Sequence, residues 1–347
     1  MRMKKLLLLL TGGTICSFPD LEGHRSSDAK MAAPLLVETL RNSRSAYKNY
    51  EIDVETVSNV LSENMTVEVW NSLLEKLRLI VENTPQEYAG ILIAHGTDTL
   101  AYTAPLLDYL MTGSRIPVML VSAQKPLTDP DSNGGNNFVE SVEWILNRRV
   151  QDGCWVVYRN MDGTTYLHRG SHLLQSGDYS NDFYSIDKKQ EAPVFHVNAD
   201  LLKEYTGLEE PLIMELNASS FLQDGILKIM PYVGINYANY SLKNVKSVMH
   251  GLYHSATAPV ERGDSCVLSF INKCKKQEVP FYIFPCKADD YGYVTTKAML
   301  DAGAKPLYGP SENAAYVKLL LSQSLGLTPD QQDAFMQIDI ADEMVHQ

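Results

Sequence analysis

Lys4-Lys5-Leu6-Leu7-Leu8-Leu9-Leu10 runs straight into Thr11-Gly12-Gly13-Thr14-Ile15, and the reading of this stretch decides the fold. Basic residues ahead of five leucines suggest a secretory leader. A leader needs an apolar core of roughly 7–15 residues followed by a small-x-small cleavage site. The leucine run is shorter and stops at the glycine turn. A lipoprotein leader ending at Cys16 also fails, because Gly13 stands where such leaders carry leucine. What remains is a strand over Lys4–Leu10, apolar on both faces as buried parallel strands are, that delivers the chain into a glycine-rich turn.

The same unit recurs downstream: an apolar run, a turn of Gly, Ser or Thr, then a helical pattern. Tyr50–Val57 leads to Ser58–Asn64 and a helix over Val67–Glu82, with Trp70, Leu73, Leu74, Leu77 and Ile80 at helical spacing and Thr66 placed to cap it. Gly90–Ala94 leads to His95–Thr99 and a helix through Leu110, and Val118–Val121 leads to Ser122–Asn137 and a helix through Arg148. Such alternation predicts an α/β fold with a parallel sheet covered on both faces, and ligands at the carboxyl ends of its strands. Tyr158–Phe221 breaks the rhythm and reads as hairpin-like structure followed by a connection. Alternation resumes at Ile226–Met230, Lys246–His250 and Phe281–Phe284, with helices over Ser265–Lys275, Thr295–Ala302 and Asn313–Ser322. The expected organisation is a larger N-terminal domain over 1–199, a linker over 200–222 and a smaller α/β domain over 223–347.

Composition narrows the function classes. Of 347 residues, 45% are hydrophobic and 21% charged, an ordinary globular profile rather than a disordered one. Thirty Lys and Arg against 42 Asp and Glu give a net charge of −12, which argues against a nucleic-acid partner needing a basic face. No apolar run approaches the roughly 18 residues that span a bilayer, so no membrane partner is expected. The five cysteines, Cys16, Cys154, Cys266, Cys274 and Cys286, are odd in number and lack zinc-ligand spacing. They predict reduced thiols in a cytoplasmic protein without a metal.

Two turns carry the candidate chemistry. In Thr11-Gly12-Gly13-Thr14-Ile15, paired glycines allow backbone amides to approach a ligand, with a threonine hydroxyl just beyond. In His95-Gly96-Thr97-Asp98-Thr99, a hydroxyl and a carboxylate sit side by side at the start of a helix. Each turn alone reads as a glycine turn plus a helix cap. Together, at equivalent ends of one parallel sheet, they favour a site. The first turn lacks the Gly-Lys-Ser/Thr ending of a phosphate loop and the Gly-x-Gly-x-x-Gly of a dinucleotide site, so no nucleotide cofactor is expected. Hydroxyls around an amide-lined pocket suit acyl transfer, in which an activated threonine attacks a carbonyl and backbone N–H groups hold the oxyanion.

These residues resemble the bacterial L-asparaginase/glutaminase family, the branch that uses two threonines, closest to its cytoplasmic type I members. The resemblance covers nearly the whole chain through Thr11–Ile15, Ser62-Glu63-Asn64-Met65-Thr66 before Trp70, His95–Thr99 followed by Ala101-Tyr102-Thr103-Ala104, and Ser122-Ala123-Gln124-Lys125-Pro126. It implies hydrolysis of a side-chain amide to acid and ammonia without metal or cofactor. It also implies two-domain protomers with sites completed across a homodimer or dimer of dimers. By position, Thr14 resembles the nucleophile, and Thr97 and Asp98 the second catalytic constellation. Ser62 resembles the residue that receives the substrate carboxylate, and Glu63 follows it near the substrate amino group. Ala123 resembles the carbonyl that contacts the substrate amide, and Gly13 and Gly96 would bind substrate through their backbone amides.

Three departures stand out. The family's lysine partner of the aspartate falls, by alignment on Leu167-His168-Arg169-Gly170 and Asp182-Phe183, at Leu174 or Gln175, and no lysine occurs between Lys125 and Lys188. Losing such a proton carrier commonly costs about 10²–10⁴ in rate, unless Lys125, Lys188, Lys189, His172 or Arg169 substitutes. His24 stands nearest the place of the family's loop tyrosine and is a candidate general base. His250-Gly251-Leu252-Tyr253-His254-Ser255 replaces the family's Gly-x-Gly-Asn turn, and Tyr253, His254 or Ser255 could reach a neighbouring site. The expected function is hydrolysis of asparagine or a related small amide. The alternative is the same fold with altered or lost catalysis. The motif Ser62–Met65 also resembles the archaeal glutamyl-tRNA amidotransferase, a reading disfavoured by a chain that starts at its first strand.

Overall fold

The computed structural model describes residues 4–19, 22, 24–186, 199–217, 221–286 and 292–344. In the N-terminal part, β1 (Lys5–Gly12) is followed by a short antiparallel pair, β2 (Ser17–Pro19) and β3 (Arg25–Ser27), and by α1 (Ala29–Ser43). Next come β4 (Ile52–Val60), α2 (Val67–Asn83), β5 (Tyr88–Ala94), α3 (Leu100–Met111), β6 (Pro117–Val121), α4 (Gly134–Leu146), β7 (Gly153–Arg159) and β8 (Thr165–Arg169). They form a six-stranded sheet in the order β4-β1-β5-β6-β7-β8, parallel except for the final β7–β8 hairpin.

β1 is central, as the leucine run requires. Leu8 lies opposite Val54 on one side and Leu92 on the other. Leu7 and Leu9 enter the core beneath α2 and α3, whereas Leu6, Leu8 and Leu10 enter the core beneath α1 and α4. A strand buried on both faces has no polar face to alternate with, so its sequence is unbroken leucine. The α2 helix spans the predicted residues, with Thr66 Oγ1 accepting from Val69 N at 3.4 Å. The apolar pattern does not announce α1, because its buried stripe is mostly alanine (Ala29, Ala32, Ala33) and Pro34 lies inside it. Asp28 starts that helix by accepting from the Lys30 and Met31 amides.

The C-terminal part comprises α5 (Ala199–Thr206), β9 (Ile226–Ile229), β10 (Ser247–Gly251), α6 (Val267–Lys276), β11 (Phe281–Cys286), α7 (Val294–Ala302), β12 (Lys305–Tyr308), α8 (Glu312–Ser324) and α9 (Pro329–Gln337). Its four strands form a second parallel sheet, β12-β11-β10-β9. The alternation missed β12, where Lys305 and Pro306 interrupt a four-residue strand. The two sheets share a core: Met249, Tyr282 and Phe284 join the cluster that contains Leu107, Tyr109, Leu320 and Phe335. No helix among the described residues is long and apolar enough to cross a membrane.

Candidate active site

Three turns meet at the carboxyl edge of the large sheet, after its adjacent strands β4, β1 and β5. Gly12 and Gly13 have φ of +115° and +80°, a region that favours glycine. Both are also packed too tightly for a side chain. A Cβ on Gly12 would lie 2.1 Å from the Val60 carbonyl oxygen, and one on Gly13 would lie 2.2 Å from Gly96 Cα. A Cβ on Gly96 would in turn lie 2.3 Å from Ser62 Cβ. Gly13 and Gly96 are therefore in direct backbone contact, and Gly96 packs in turn on the Ser62 side chain, from positions far apart in sequence.

Thr14 follows this junction at the start of a 3₁₀ turn, which Cys16 N closes onto Gly13 O at 3.0 Å. Ser17 Oγ donates to the Thr14 carbonyl at 2.9 Å, so the main chain of Thr14 is held from both sides. The half-buried Thr14 hydroxyl forms no hydrogen bond among the described residues.

The second turn is held more elaborately. His95 N donates to Val121 O at 2.9 Å, drawing the turn toward β6. The fully buried His95 ring lies between Gly96 O, 2.7 Å from Nδ1, and Thr103 Oγ1, 2.9 Å from Nε2. Trp70 Nε1 donates to the same threonine oxygen at 2.9 Å. An indole only donates and a carbonyl only accepts, so Thr103 donates to Nε2 and Nδ1 carries the proton. Burial pushes the His95 pKa down to about 4 and keeps the ring neutral. Sequence reading did not single out this Trp70–Thr103–His95 chain.

Ser62 is 4% exposed and locked to Thr99. Its Oγ accepts from Thr99 N at 3.2 Å and lies 3.1 Å from Thr99 Oγ1, which is also 3.1 Å from Ser62 O. Thr99 is the N-cap residue of α3 yet makes no side-chain cap bond, because its hydroxyl braces Ser62 instead. Thr97 is half-buried, while Asp98 and Glu63 are exposed. Ala123, two residues beyond β6, is fully buried.

The candidate cations lie elsewhere. Lys125 pairs with Asp131 at 3.0 Å and Asp129 at 3.4 Å, and those carboxylates, Asp131 first, hold its amine above the usual range. Arg169 is buried against Asp108 at 2.7 Å. His172 bonds to the main-chain carbonyl of Asp342. Lys188 and Lys189 lie outside the described residues. Among the described residues no cation reaches the Asp98 carboxylate. Of the two residues aligned with the family lysine, Leu174 donates its N–H to Tyr184 O at 2.9 Å, and Gln175 donates its side-chain amide to the Asp98 carbonyl at 3.2 Å. His24 is 77% exposed, with Nδ1 3.6 Å from Glu22, and no hydrogen bond joins it to Thr14.

In the second sheet, His250 is a core residue. Its Nε2 lies 2.8 Å from Tyr237 OH, its ring stacks on Phe281, and burial pushes its pKa down to about 4. Tyr253 and Ser255, with Tyr232 and Tyr293, line a cavity of about 560 Å³ beyond the carboxyl ends of β9 and β10.

A sequence model of the family described as Asparaginase, N-terminal, matches residues 5–203. The chain is similar to a component of the glutamyl-tRNA(Gln) amidotransferase of Methanococcus maripaludis, 28% identical over 246 residues that cover 68% of this chain and 55% of that protein. It is also similar to the corresponding amidotransferase component of Methanobrevibacter smithii, 26% identical over 344 residues covering 94% of this chain and 73% of that protein. The chain thus spans about half the length of the first of these curated relatives. Among solved structures, the thermostable L-asparaginase from Thermococcus kodakarensis superposes with a TM-score of 0.72 at 22% identity, covering 99% of this chain and 100% of that one. That similarity establishes a shared fold.

Proposed function

The chain belongs to the asparaginase family, and from that premise we propose that it hydrolyses the side-chain amide of L-asparagine or a related small ω-amide through a threonine acyl-enzyme. The observation that carries this reading is the junction of Gly13, Gly96 and the Ser62 side chain, which brings three turns together next to Thr14, whose hydroxyl is uncommitted among the described residues.

In the proposed reaction, Thr14 Oγ attacks the amide carbon and its proton passes to the departing nitrogen, which leaves as ammonia. Water then attacks the ester, the carboxylic acid departs and Thr14 Oγ regains its proton. Backbone amides of the two turns, that of Gly96 among them, would stabilise the tetrahedral oxyanion, a contribution of several kcal/mol in comparable sites. The Gly13 amide, expected from the sequence to bind substrate, is instead committed to Val60 O at 2.8 Å. Thr97 orients the nucleophile or water, and Asp98 and Glu63 attract an α-ammonium group. Ser62 turns from Thr99 to receive the substrate carboxylate, and the Ala123 carbonyl contacts the amide. No metal or cofactor takes part. We place this activity in a homodimer or dimer of dimers in a reducing cytoplasm, a location consistent with five unbridged cysteines.

Ammonia release from asparagine, glutamine and a panel of ω-amides tests the proposal. Thr14→Ala is expected to lower kcat by at least about 10³-fold, as loss of a covalent nucleophile does. The absence of Thr14-dependent turnover would overturn hydrolysis. The Asp98 carboxylate, which no cation reaches among the described residues, would then favour the second reading, a binding protein or an enzyme of altered chemistry, which calorimetry with aspartate and glutamate checks. A third reading, supply of ammonia within an amidotransferase complex, rests on the names of the curated relatives. It predicts that activity depends on a partner protein.

A further inference from the structure

The turn that carries Thr97 and Asp98 has a bond on each of four successive carbonyls. His95 Nδ1 holds Gly96 O, Leu100 N holds Thr97 O at 3.3 Å, and the Tyr102 and Thr103 amides hold Thr99 O at 3.1 Å. The fourth carbonyl, that of Asp98, receives no main-chain donor among the described residues. Its donor is Gln175 Nε2 at 3.2 Å, from 77 residues away. The chain on either side of Gln175 is tied by hydrogen bonds. Leu173 is fully buried and bridges Ser185, and Leu174 N donates to Tyr184 O at 2.9 Å. Ser176 Oγ then donates to Ser180 O at 2.8 Å. The amide therefore projects from a hydrogen-bonded segment onto the one peptide of the turn that, among the described residues, lacks a bond from its own neighbourhood.

We propose that Gln175 is a positioning residue of the candidate active site: its uncharged amide holds the Asp98 peptide, keeping Thr97 and Asp98 beside the Gly13–Gly96 junction. The contact places the turn and leaves the Asp98 carboxylate free to meet a cationic group of the substrate. The inference deepens the hydrolysis reading and rests on it for its effect on rate.

The test uses the full chain with Gln175→Met, which keeps the length and removes the donor, and Gln175→Lys, which keeps an N–H donor. Each is assayed for kcat and KM on the best amide found, for Tm, and for hydrogen–deuterium exchange in the peptide spanning 95–103. Loss of one hydrogen bond predicts a fall in kcat/KM of about fivefold to tenfold for the Met variant. Faster exchange in that peptide and an unchanged Tm should accompany it, since the side chain is exposed. Gln175→Lys should stay within about threefold of the original activity. Unaltered exchange or unaltered kcat/KM in Gln175→Met overturns the proposal. So does a gain of more than about tenfold in Gln175→Lys, which would make a missing charge, not a held peptide, the limiting feature. Should the unmodified chain release no ammonia, hydrolysis fails as a reading, and exchange in 95–103 still decides the role of Gln175.

Discussion

Gly13 bears two demands that only glycine meets together, a φ of +80° and contact with the backbone of Gly96. A methyl group there would have to displace main chain rather than a flexible side chain, and main chain gives way at the largest cost. Gly13→Ala is therefore expected to destabilise the protein by about 1–3 kcal/mol or more and to abolish amide hydrolysis. Urea denaturation and ammonia release measure the two effects; a stable, active Gly13→Ala protein would refute the packing argument. Both glycines of the turn are legible in the sequence, because a doubled glycine after a buried strand signals a backbone need. The partner that makes Gly13 obligatory is not legible, because Gly96 lies more than eighty positions away.

At the scale of the element, α3 links the site to the core. Its first turn is braced through Thr99 to Ser62, and Thr103 one turn later joins Trp70 of α2 to His95 after β5. Thr103→Val keeps the shape and removes the hydroxyl, leaving the buried indole N–H and imidazole Nε2 without their partner. Each unmet group costs about 1–3 kcal/mol, so the variant should lose at least that much stability while Thr103→Ser stays close to the original. Chemical denaturation of both variants checks this, and equal stability of Val and Ser would exclude the hydroxyl's role. Helical spacing reveals α2 directly, whereas α3, buried on nearly every side, carries no such stripe and is legible only from the turn that opens it. A spacing rule says which side chains face inward; it does not say which of them donate to one another.

Across the whole molecule, α3, α8 and both sheets share one apolar cluster, and buried titratable groups sit around it. Glu210 follows α5, with Oε1 buried and without a hydrogen-bond partner among the described residues. Burial above all, then the charge of Asp152, raises its carboxyl from 4.5 to about 7, against the opposing pull of Arg169. A pKa raised in the folded state means that the native protein keeps a proton that the unfolded chain releases between about pH 4.5 and 7. This group therefore leaves stability intact below pH 4.5 and erodes it as pH climbs to 7. Glu210→Gln should match the original protein in Tm near pH 4 and exceed it increasingly toward pH 7, with no further gain above. A Tm difference independent of pH would show that Glu210 does not titrate in this window. His95 and His250, depressed to about 4, act in the opposite sense over part of the same range, so the comparison of variant with original isolates the carboxyl.

The sequence by itself determined the buried strand β1, the alternation of strands with helices and the two glycine turns at their ends. Those features rest on periodicity and backbone freedom, which neighbouring residues fix among themselves. The tertiary structure alone decided that Ser62 binds Thr99 across 37 residues, that Gln175 holds Asp98 across 77, and that Lys125, Arg169 and His172 pair elsewhere. A hydrogen bond between distant residues depends on angstrom-scale placement by the sheet, and no local rule of sequence carries that information.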